Sequence, residues 1–412
     1  MTPTSDDRVK RGIADSPLSS PRLDLPGLDE TLQAFGRSRM LPAAAYTSSE
    51  VFAWELRWLF AGTYTCLGRE DDLRRPGGNG ARPLTQRAVM VGDVSVLVTW
   101  IDDELRAHAN VCRHRAHELL EADEGNSKQS IVCPYHAWTY DLAGSLRVAP
   151  GYTSVPGFST GDHGLVGLPV HCWHGWVFVH AATSLASGQA YDFETYIGDL
   201  EKIVSPYAPE TLTLGARHTY EVAANWKVVA ENYHECIHCP LIHPELCQVT
   251  PPTSGNNYNL PGAWIGGSMV LRDGMQTMSL SGKSRGRPIE GVPNGRGVRR
   301  PRPQPAHLGA PRLRHGPSAR AAQCWADLDR MLLVLPRHRQ RPGDRPVVRR
   351  GVLGHHQPAG LERLRVCAAR PRIAARAPRP VRPGRDAVHQ FAATIARAYR
   401  GLSIDVPIDG PR

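Results

Sequence analysis

Long apolar runs are missing from this 412-residue chain. Its apolar stretches are as short as Trp176–His180, far below the roughly 20 residues that cross a bilayer, so no membrane span is expected. The first residues, MTPTSDDRVKRG, lack an apolar signal core, and the chain is expected to stay in the cytosol. Cysteine is scarce too. Nine in the whole chain are too few for a disulfide scaffold, and cytosolic thiols stay reduced. They are expected as metal ligands or ordinary core residues. No internal repeat is visible, and no G-x-G-x-x-G loop that would cradle a dinucleotide. One region also lacks lysine and nearly all aromatics. Residues 291–390 hold 22 Arg, no Lys, 14 Pro and a single aromatic, Trp325. Five acids stand there (Asp327, Asp329, Asp344, Glu362 and Asp386), leaving a net charge of +17. The whole chain carries +10, so the other 312 residues hold 27 bases against 34 acids. The chain is therefore a mildly acidic protein of two-domain length with one basic stretch.

What is present divides by pattern. Residues 1–45 are rich in Pro, Ser, Asp and Arg and read as an N-terminal arm or loosely docked lead-in. Residues 48–61 carry a Ser-Ser-Glu start signal followed by helical spacing of apolar positions. From about 85 to 182 short β runs alternate with Gly, Asn and Asp, which predicts a small β domain. Residues 192–207 read as helix and 211–224 as a strand entering a second domain. Residues 226–239 read as a helix that Pro240 and Pro244 then disturb.

The strongest chemical signal is Cys112-Arg113-His114, eighteen further residues, then Cys133-Pro134-Tyr135-His136. Each half offers one thiolate and one imidazole from a short loop. Ligand softness alone admits zinc, iron or a cluster. The alternation favours a Rieske [2Fe–2S] centre, in which a Cys pair holds one iron and a His pair the other. Each half then supplies one ligand to each iron, whereas a Cys2His2 finger groups its Cys and His pairs separately. The bland alternative is unrelated Cys and His in β loops. His108 and His117 lie nearby and read as surface or structural residues.

The surrounding stretches, NVCRHRAHEL and CPYHAWTYDLAG, resemble the cluster-binding loops of ring-hydroxylating Rieske oxygenase alpha subunits. Ala116 and Ala137 stand where that family usually has Gly, a change that costs little unless the backbone needs a positive φ.

A second signal lies about 100 residues on, in Asn225-Trp226-Lys227 and the run from Glu231 to Pro244. His238 and His243 are five apart and do not share an ideal helix face, so Pro240 must break or bulge the helix for both rings to reach one centre. Glu235 lies three residues before His238 and does share its face. Two His and a carboxylate on one side of a ferrous ion leave positions open for oxygen and substrate. The span NWKVVAENYHECIHCPLIHPEL closely resembles the mononuclear-iron segment of the same oxygenase family. By that resemblance His238 and His243 are iron ligands. Glu235 is then the bridging carboxylate that links this iron to a Rieske histidine of a neighbouring subunit. Aromatic-ring dioxygenases often have Asp there, and Glu points to the members acting on choline, carnitine and glycine betaine. Cys236 and Cys239 match a redox or zinc pair, but the family reading leaves them as ordinary helix residues. His171, His174 and His234 have no partner in sequence and read as core or surface.

The family needs a third iron ligand, an Asp, downstream of His243 and within 291–390. That composition cannot build half a catalytic sheet. Arg, Pro, Ala, Gly and His without Lys is what a GC-rich gene yields out of frame. Permitted codons for Val352 to Arg372, read one nucleotide later, give FWDTTNRQDWSACESVQRGL, which resembles the family's ligand-bearing helix. The same shift turns Leu313 to Pro336 into a strand-like alternation, SVTVHRLGPPSAGPTSTECSWYFP. In this reading residues 291–385 are frame-shifted and the ligand Asp codon straddles Gly360 and Leu361. Asp327, Asp329, Asp344 and Glu362 are stand-in candidates. The alternative is a genuine Arg-rich insertion binding nucleic acid, but such stretches usually include Lys and aromatics. From Asp386 onward, DAVHQFAATIARAYRGL again has an amphipathic helical pattern.

The resemblance implies an α+β chain. It has an N-terminal all-β Rieske domain (46–185) and a C-terminal α+β catalytic domain (186–412) with a curved antiparallel sheet around the iron. It implies a [2Fe–2S] cluster and a mononuclear Fe(II), a reductase or ferredoxin as electron donor, and a homotrimer with electrons crossing subunits. The expected reaction is hydroxylation or demethylation of a small organic substrate with O2, favouring quaternary ammonium compounds. One alternative is the alpha subunit of an aromatic-ring dihydroxylating dioxygenase. Another is an inactive or electron-transfer-only Rieske protein, since the third iron ligand is lost. No nucleic-acid or membrane partner is expected.

Overall fold

The structure is a computed structural model. It describes residues 20–76, 82–152, 154–182, 192–214, 224–276, 282, 300–302, 334–336 and 385–408. These fall into two compact units. One holds Trp54–Tyr191, and the residues up to Ala53 join those from Asp192 onward in the other.

The first unit is built from ten strands. They are β1 (Tyr64–Arg69), β2 (Gln86–Val91), β3 (Val94–Ile101), β4 (Glu104–Ala109) and β5 (Gly125–Asn126). Then come β6 (Ser130–Val132), β7 (Thr139–Asp141), β8 (Leu146–Val148), β9 (Val170–Trp173) and β10 (Trp176–His180). They form three antiparallel sheets, ordered β4-β3-β2-β5, β6-β7-β8 and β1-β10-β9. The Val-rich runs predict this, because branched side chains pack well on a pleated surface. Val89, Val91, Val96, Val98, Val177 and Val179 form one core with Trp100. The two-residue turn between β2 and β3 uses Gly92 at φ 60°, where the Leu56 carbonyl fills the space a Cβ would need. A second core gathers Cys112, Ile131, Cys133, Trp138, Tyr140 and Leu146. Both cluster-motif cysteines are therefore core residues as well as loop residues.

The helix expected over 48–61 forms as Ser49–Trp54 and widens into a π-helical stretch, Glu55–Phe60. The helix expected over 192–207 is three short pieces, Phe193–Ile197, Leu200–Val204 and Ser205–Tyr207. Gly198, at φ 50°, stops the first of them.

In the second unit the polar lead-in docks more closely than its composition implies. Leu25, Leu28, Leu41 and Ala45 are buried. Leu23 N–H donates to the Tyr399 carbonyl at 2.7 Å, and Arg400 pairs with Asp24 and Asp29. The segment Leu28–Thr31 packs against the helix Asp386–Tyr399, which forms where its pattern predicts and buries most of its residues. Antiparallel pairing joins β11 (Leu212–Leu214) to β15 (Val334–Pro336) and β12 (Asn256–Asn257) through β13 (Gly267–Met269) to β14 (Arg300–Arg302). Of the strand expected over 211–224, β11 is the described part. Apart from β14, β15 and Arg385, the stretch read as frame-shifted lies outside the described residues, as do Asp327, Asp329, Asp344 and Glu362. Among the described residues no helix is long and apolar enough to cross a membrane.

Candidate metal centres

The two cysteine-histidine motifs fold into loops with one bonding pattern. Cys112–His117 is closed by a bridge between Val111 and Glu118. Cys133–Trp138 is the loop of the β6–β7 hairpin, closed by Val132 and Thr139. In each, the cysteine N–H donates to the carbonyl five residues on, Cys112 to His117 at 2.9 Å and Cys133 to Trp138 at 2.8 Å. In each, an alanine N–H donates back to the cysteine carbonyl at 3.0 Å, from Ala116 and from Ala137. Both alanines sit in the left-handed region, at φ 56° and 57°. The loops thus demand the backbone in which Gly is the easy residue and a Cβ is penalised.

This shared geometry brings the four motif side chains together as two pairs, Cys112 with Cys133 and His114 with His136. Cys112 and Cys133 are both 2% exposed and lie side by side. Burial pushes the Cys112 thiol up and the neighbouring Cys133 adds to this, against hydrogen bonds from Tyr140 and the His114 backbone. Metal-free, Cys112 favours the thiol, and a bound cation would have to displace its proton. The His114 and His136 rings meet edge to face with centroids 4.7 Å apart. His114 stacks on Trp138 at 5.0 Å, and its Nε2 lies 3.1 Å from the Tyr152 hydroxyl. Burial, then the nearby His136 and Arg115, lower the His114 pKa, which keeps the ring neutral as a ligand requires. His136 Nδ1 is buried with no hydrogen-bond partner among the described residues. A buried polar nitrogen with no partner is costly unless something outside the protein chain satisfies it. Two cysteines, two imidazoles and one orphaned nitrogen suit a two-iron cluster with two donors per iron. They do not suit a single ion, and among the described residues no three His, Cys, Asp or Glu side chains gather as such a site.

Tyr140 is a site residue the motif search missed. It is fully buried, accepts the Arg113 N–H at 3.0 Å and places its hydroxyl 3.3 Å from Cys112 Sγ. Burial and the adjacent thiol push its pKa well above the usual phenol range, so it stays a phenol. Its signal was the inward position on β7. His108 and His117 take the structural roles expected. His108 is buried with Nε2 3.4 Å from the Leu142 carbonyl, and His117 Nδ1 is 2.6 Å from the Glu118 carbonyl.

The second motif runs differently from the expected helix. Asn225 caps the helix Trp226–Tyr233 by accepting the Lys227 N–H at 3.0 Å. The helix ends at Tyr233, seven residues before Pro240 rather than at it. Pro240 instead opens a new short helix, Cys239–Ile242, where its missing N–H is not needed. His238 and His243 flank that short helix, and their rings face each other at 76° with centroids 5.2 Å apart. Glu235 Oε1 lies 2.8 Å from His238 Nδ1, and Glu235 Oε2 accepts the Ile237 N–H. Burial pushes the Glu235 carboxyl up, but these bonds and the charges of His238 and Arg385 outweigh it and hold it below its ordinary value. An ionised Glu235 fixes the proton on His238 Nδ1 and leaves Nε2 as the lone-pair nitrogen.

Two features of this segment were not anticipated. Cys236 and Cys239 are joined as a disulfide, with Cα atoms 4.9 Å apart, rather than standing as ordinary helix residues. Glu231, in the last turn of the helix and four residues before Glu235, accepts a hydrogen bond from the Tyr46 hydroxyl. Burial pushes its pKa up to about 7, against the pull of Tyr46, Lys227 and Arg385. His234 is a buried core residue as expected, its pKa lowered to about 4 by burial.

Residues 64–159 match the family described as Rieske [2Fe-2S] domain. Residues 209–302 match the ring hydroxylating alpha subunit catalytic domain. The chain thus matches a Rieske domain and a ring-hydroxylating catalytic domain, each over part of its length. Their match ends at residue 302, inside the basic stretch. The chain is 35% identical over 205 residues to the carnitine monooxygenase oxygenase subunit of Acinetobacter pittii, covering 49% of this chain and 52% of that one. It is 32% identical over 241 residues to the glycine betaine monooxygenase oxygenase subunit of Chromohalobacter salexigens, covering 58% and 50%. It thus spans about half the length of these curated relatives. A solved quaternary ammonium Rieske monooxygenase superposes with a TM-score of 0.50 at 28% identity, covering 61% of this chain and 66% of that one. The expected α+β architecture, a Rieske domain plus a catalytic domain with antiparallel sheets, agrees with these matches.

Proposed function

We propose that this chain is the terminal oxygenase component of a Rieske non-haem iron system acting on a small quaternary ammonium compound. The observation that carries the reading is the pair of equivalent loops, which set Cys112 beside Cys133 and His114 beside His136. Cys112 and Cys133 would hold one iron of a [2Fe–2S] cluster, and His114 and His136 the other. His238 and His243 would hold a mononuclear Fe(II). When bound, the cluster supplies electrons singly and the Fe(II) activates O2 for insertion into a C–H bond. The chain's own residues supply placement. The two closed loops would hold the four candidate cluster donors in place before any metal arrives. Glu235 holds the Nδ1 proton of His238, directs Nε2 outward and remains ionised as the candidate bridge to a neighbouring subunit.

Substrate class rests on two supports. The relatives named above act on carnitine and glycine betaine, and Glu235 stands where aromatic-ring dioxygenases often have Asp. The Glu is what favours this reading over an aromatic-ring dihydroxylating alpha subunit. A homotrimer, a reductase or ferredoxin donor and a cytoplasmic location complete the proposal, with domains at 46–185 and 186–412 after an arm of 1–45.

The basic stretch enters the proposal as a lost ligand. If 291–385 is out of frame, the chain as written keeps six metal donors and lacks the Asp whose codon straddles Gly360 and Leu361. It is then an inactive form of the oxygenase. Iron counting and oxygen uptake test both parts together. The chain as written is expected to hold about two irons, in the cluster, and to consume no O2 with carnitine or glycine betaine. The frame-restored chain is expected to hold about three and to consume O2 with one of them when supplied with a reductase. Three tightly bound irons in the chain as written would overturn the frame assignment. A frame-restored chain with three irons and no uptake on any quaternary ammonium compound would overturn the substrate class.

A further inference from the structure

The two motif histidines differ in their surroundings, although their loops are equivalent. His114 Nε2 lies 3.1 Å from the Tyr152 hydroxyl, and its ring stacks flat on Trp138. His136 makes no hydrogen bond among the described residues, and its contacts are the rings of Tyr135, at 3.8 Å, and of His114. Tyr152 is itself held firmly. Its N–H donates to the Ala149 carbonyl at 3.1 Å, and its ring packs on Trp138 at 5.2 Å and Phe158 at 4.9 Å. The turn after β8 therefore places a phenol oxygen at one histidine and nothing comparable at the other.

Tautomer logic gives this contact a direction. With Nε2 engaged by Tyr152, Nδ1 is the nitrogen that His114 can offer to a metal. His136 has its buried, unpartnered nitrogen at the same position, Nδ1. A neutral imidazole bound through Nδ1 carries its proton on Nε2, so His114 donates and the Tyr152 oxygen accepts. An acceptor on the distal N–H fixes ring orientation and raises the basicity of the ligating nitrogen. A more basic ligand favours the ferric over the ferrous state, which lowers the reduction potential.

We propose that Tyr152 is a positioning residue that makes the two cluster histidines inequivalent. It ties His114 into its own domain and lowers the cluster potential, and it leaves His136 as the histidine with an uncommitted outer edge. The step it tunes is the gain of one electron by the cluster, in which no bond forms or breaks. The inference rests on the cluster assignment above, and its test separates the two.

The test compares midpoint potentials of the cluster-loaded full chain, followed by electron paramagnetic resonance in a redox titration. Tyr152→Phe removes one oxygen and keeps the packing, and it is expected to shift the midpoint upward at unchanged iron content. Tyr135→Phe, on the His136 side, is expected to leave the midpoint in place. A second measurement needs no variant. In the unaltered chain with nitrogen-15 histidine, the Nε2 proton of His114 is expected to exchange with deuterium more slowly than that of His136. An unshifted midpoint in Tyr152→Phe, or equal shifts in both variants, overturns the role of Tyr152. If Tyr152→Phe holds no cluster, the exchange rates decide, and equal rates overturn it. An unaltered chain with no two-iron cluster at all overturns the metal assignment instead.

Discussion

The two candidate centres are assembled in opposite ways. All four donors of the first fall between Cys112 and His136, and each pair sits in a loop closed by its own short β contacts. The second has two candidate donors close together, His238 and His243, and in the proposed reading would draw its remaining ligand from distant sequence. A centre closed locally survives damage elsewhere in the chain. A centre whose ligands come from separate elements fails when one element fails, because each donor contributes to the same ion. The basic stretch makes this contrast concrete, since it leaves the hairpin loops untouched.

The sharpest way to break the contrast is to remove one histidine from each centre. His114→Ala is expected to abolish the cluster, with loss of both its irons and its visible absorbance, because a two-donor iron cannot spare one. His238→Ala is expected to leave iron content and colour of the cluster unchanged. Absorbance spectra with iron analysis of both purified variants check this. If His238→Ala also bleaches the cluster, the two centres are not independent and the assignment of ligands fails.

A smaller effect is expected at Glu235. The 2.8 Å contact to His238 Nδ1 is the kind of outer-shell bond whose loss typically costs 10- to 100-fold in metal affinity. Glu235→Ala should therefore weaken ferrous ion binding at His238 and His243 by about that factor, without touching the cluster. Anaerobic ferrous titration of the cluster-loaded protein reads it. Equal affinities would mean that Glu235 does not orient His238.

How far each centre was legible follows from the same contrast. The candidate cluster donors stand out in the sequence because Cys-x-His and Cys-x-x-His are local and chemically rare. Their outer partners do not, because Tyr140 and Tyr152 look like ordinary strand and turn residues until the sheet closes. The helix break was misplaced at Pro240 because proline is the visible breaker. The chain in fact leaves the helix at His234, where Glu235 turns to bond the Ile237 N–H and His238. The docking of residues 20–45 was hidden for a similar reason. Four isolated apolar positions, Leu25, Leu28, Leu41 and Ala45, have no periodicity that announces a distant partner such as the helix Asp386–Tyr399. The Asp386–Tyr399 helix was legible because its period is intact over fourteen residues.

Glu231 gives a pH-dependent handle on the second unit alone. Its pKa rises from 4.5 to about 7 in the folded chain. The folded state then binds more protons than the unfolded state between those values, so this group's contribution to stability falls as pH rises through that window. Gln resembles the protonated form and can still accept from Tyr46. Glu231→Gln is expected to match the parent near pH 4.5 and to exceed it at pH 8, by on the order of 1 to 2 kcal/mol. Urea unfolding followed by tryptophan fluorescence at both pH values measures the difference. A gap that is constant with pH would show that Glu231 does not titrate in this range.

The smallest effect bears on the first unit and returns to its two alanines. Ala116 and Ala137 hold φ of 56° and 57°, a region that costs an L-residue roughly 1 to 2 kcal/mol. Glycine removes that cost but adds freedom to the unfolded chain worth about 0.4 to 1 kcal/mol in the other direction. Ala116→Gly and Ala137→Gly should therefore each stabilise the cluster unit by a net of about 0.5 to 1 kcal/mol. The gain should appear as a higher urea midpoint for bleaching of the cluster. It should not appear in ferrous binding at His238 and His243, since the alanines act through loops that the second centre does not use. The two loops share one hydrogen-bond pattern, so the two substitutions should act alike. A gain at one and a loss at the other would mean that the loops are equivalent in bonding but not in strain.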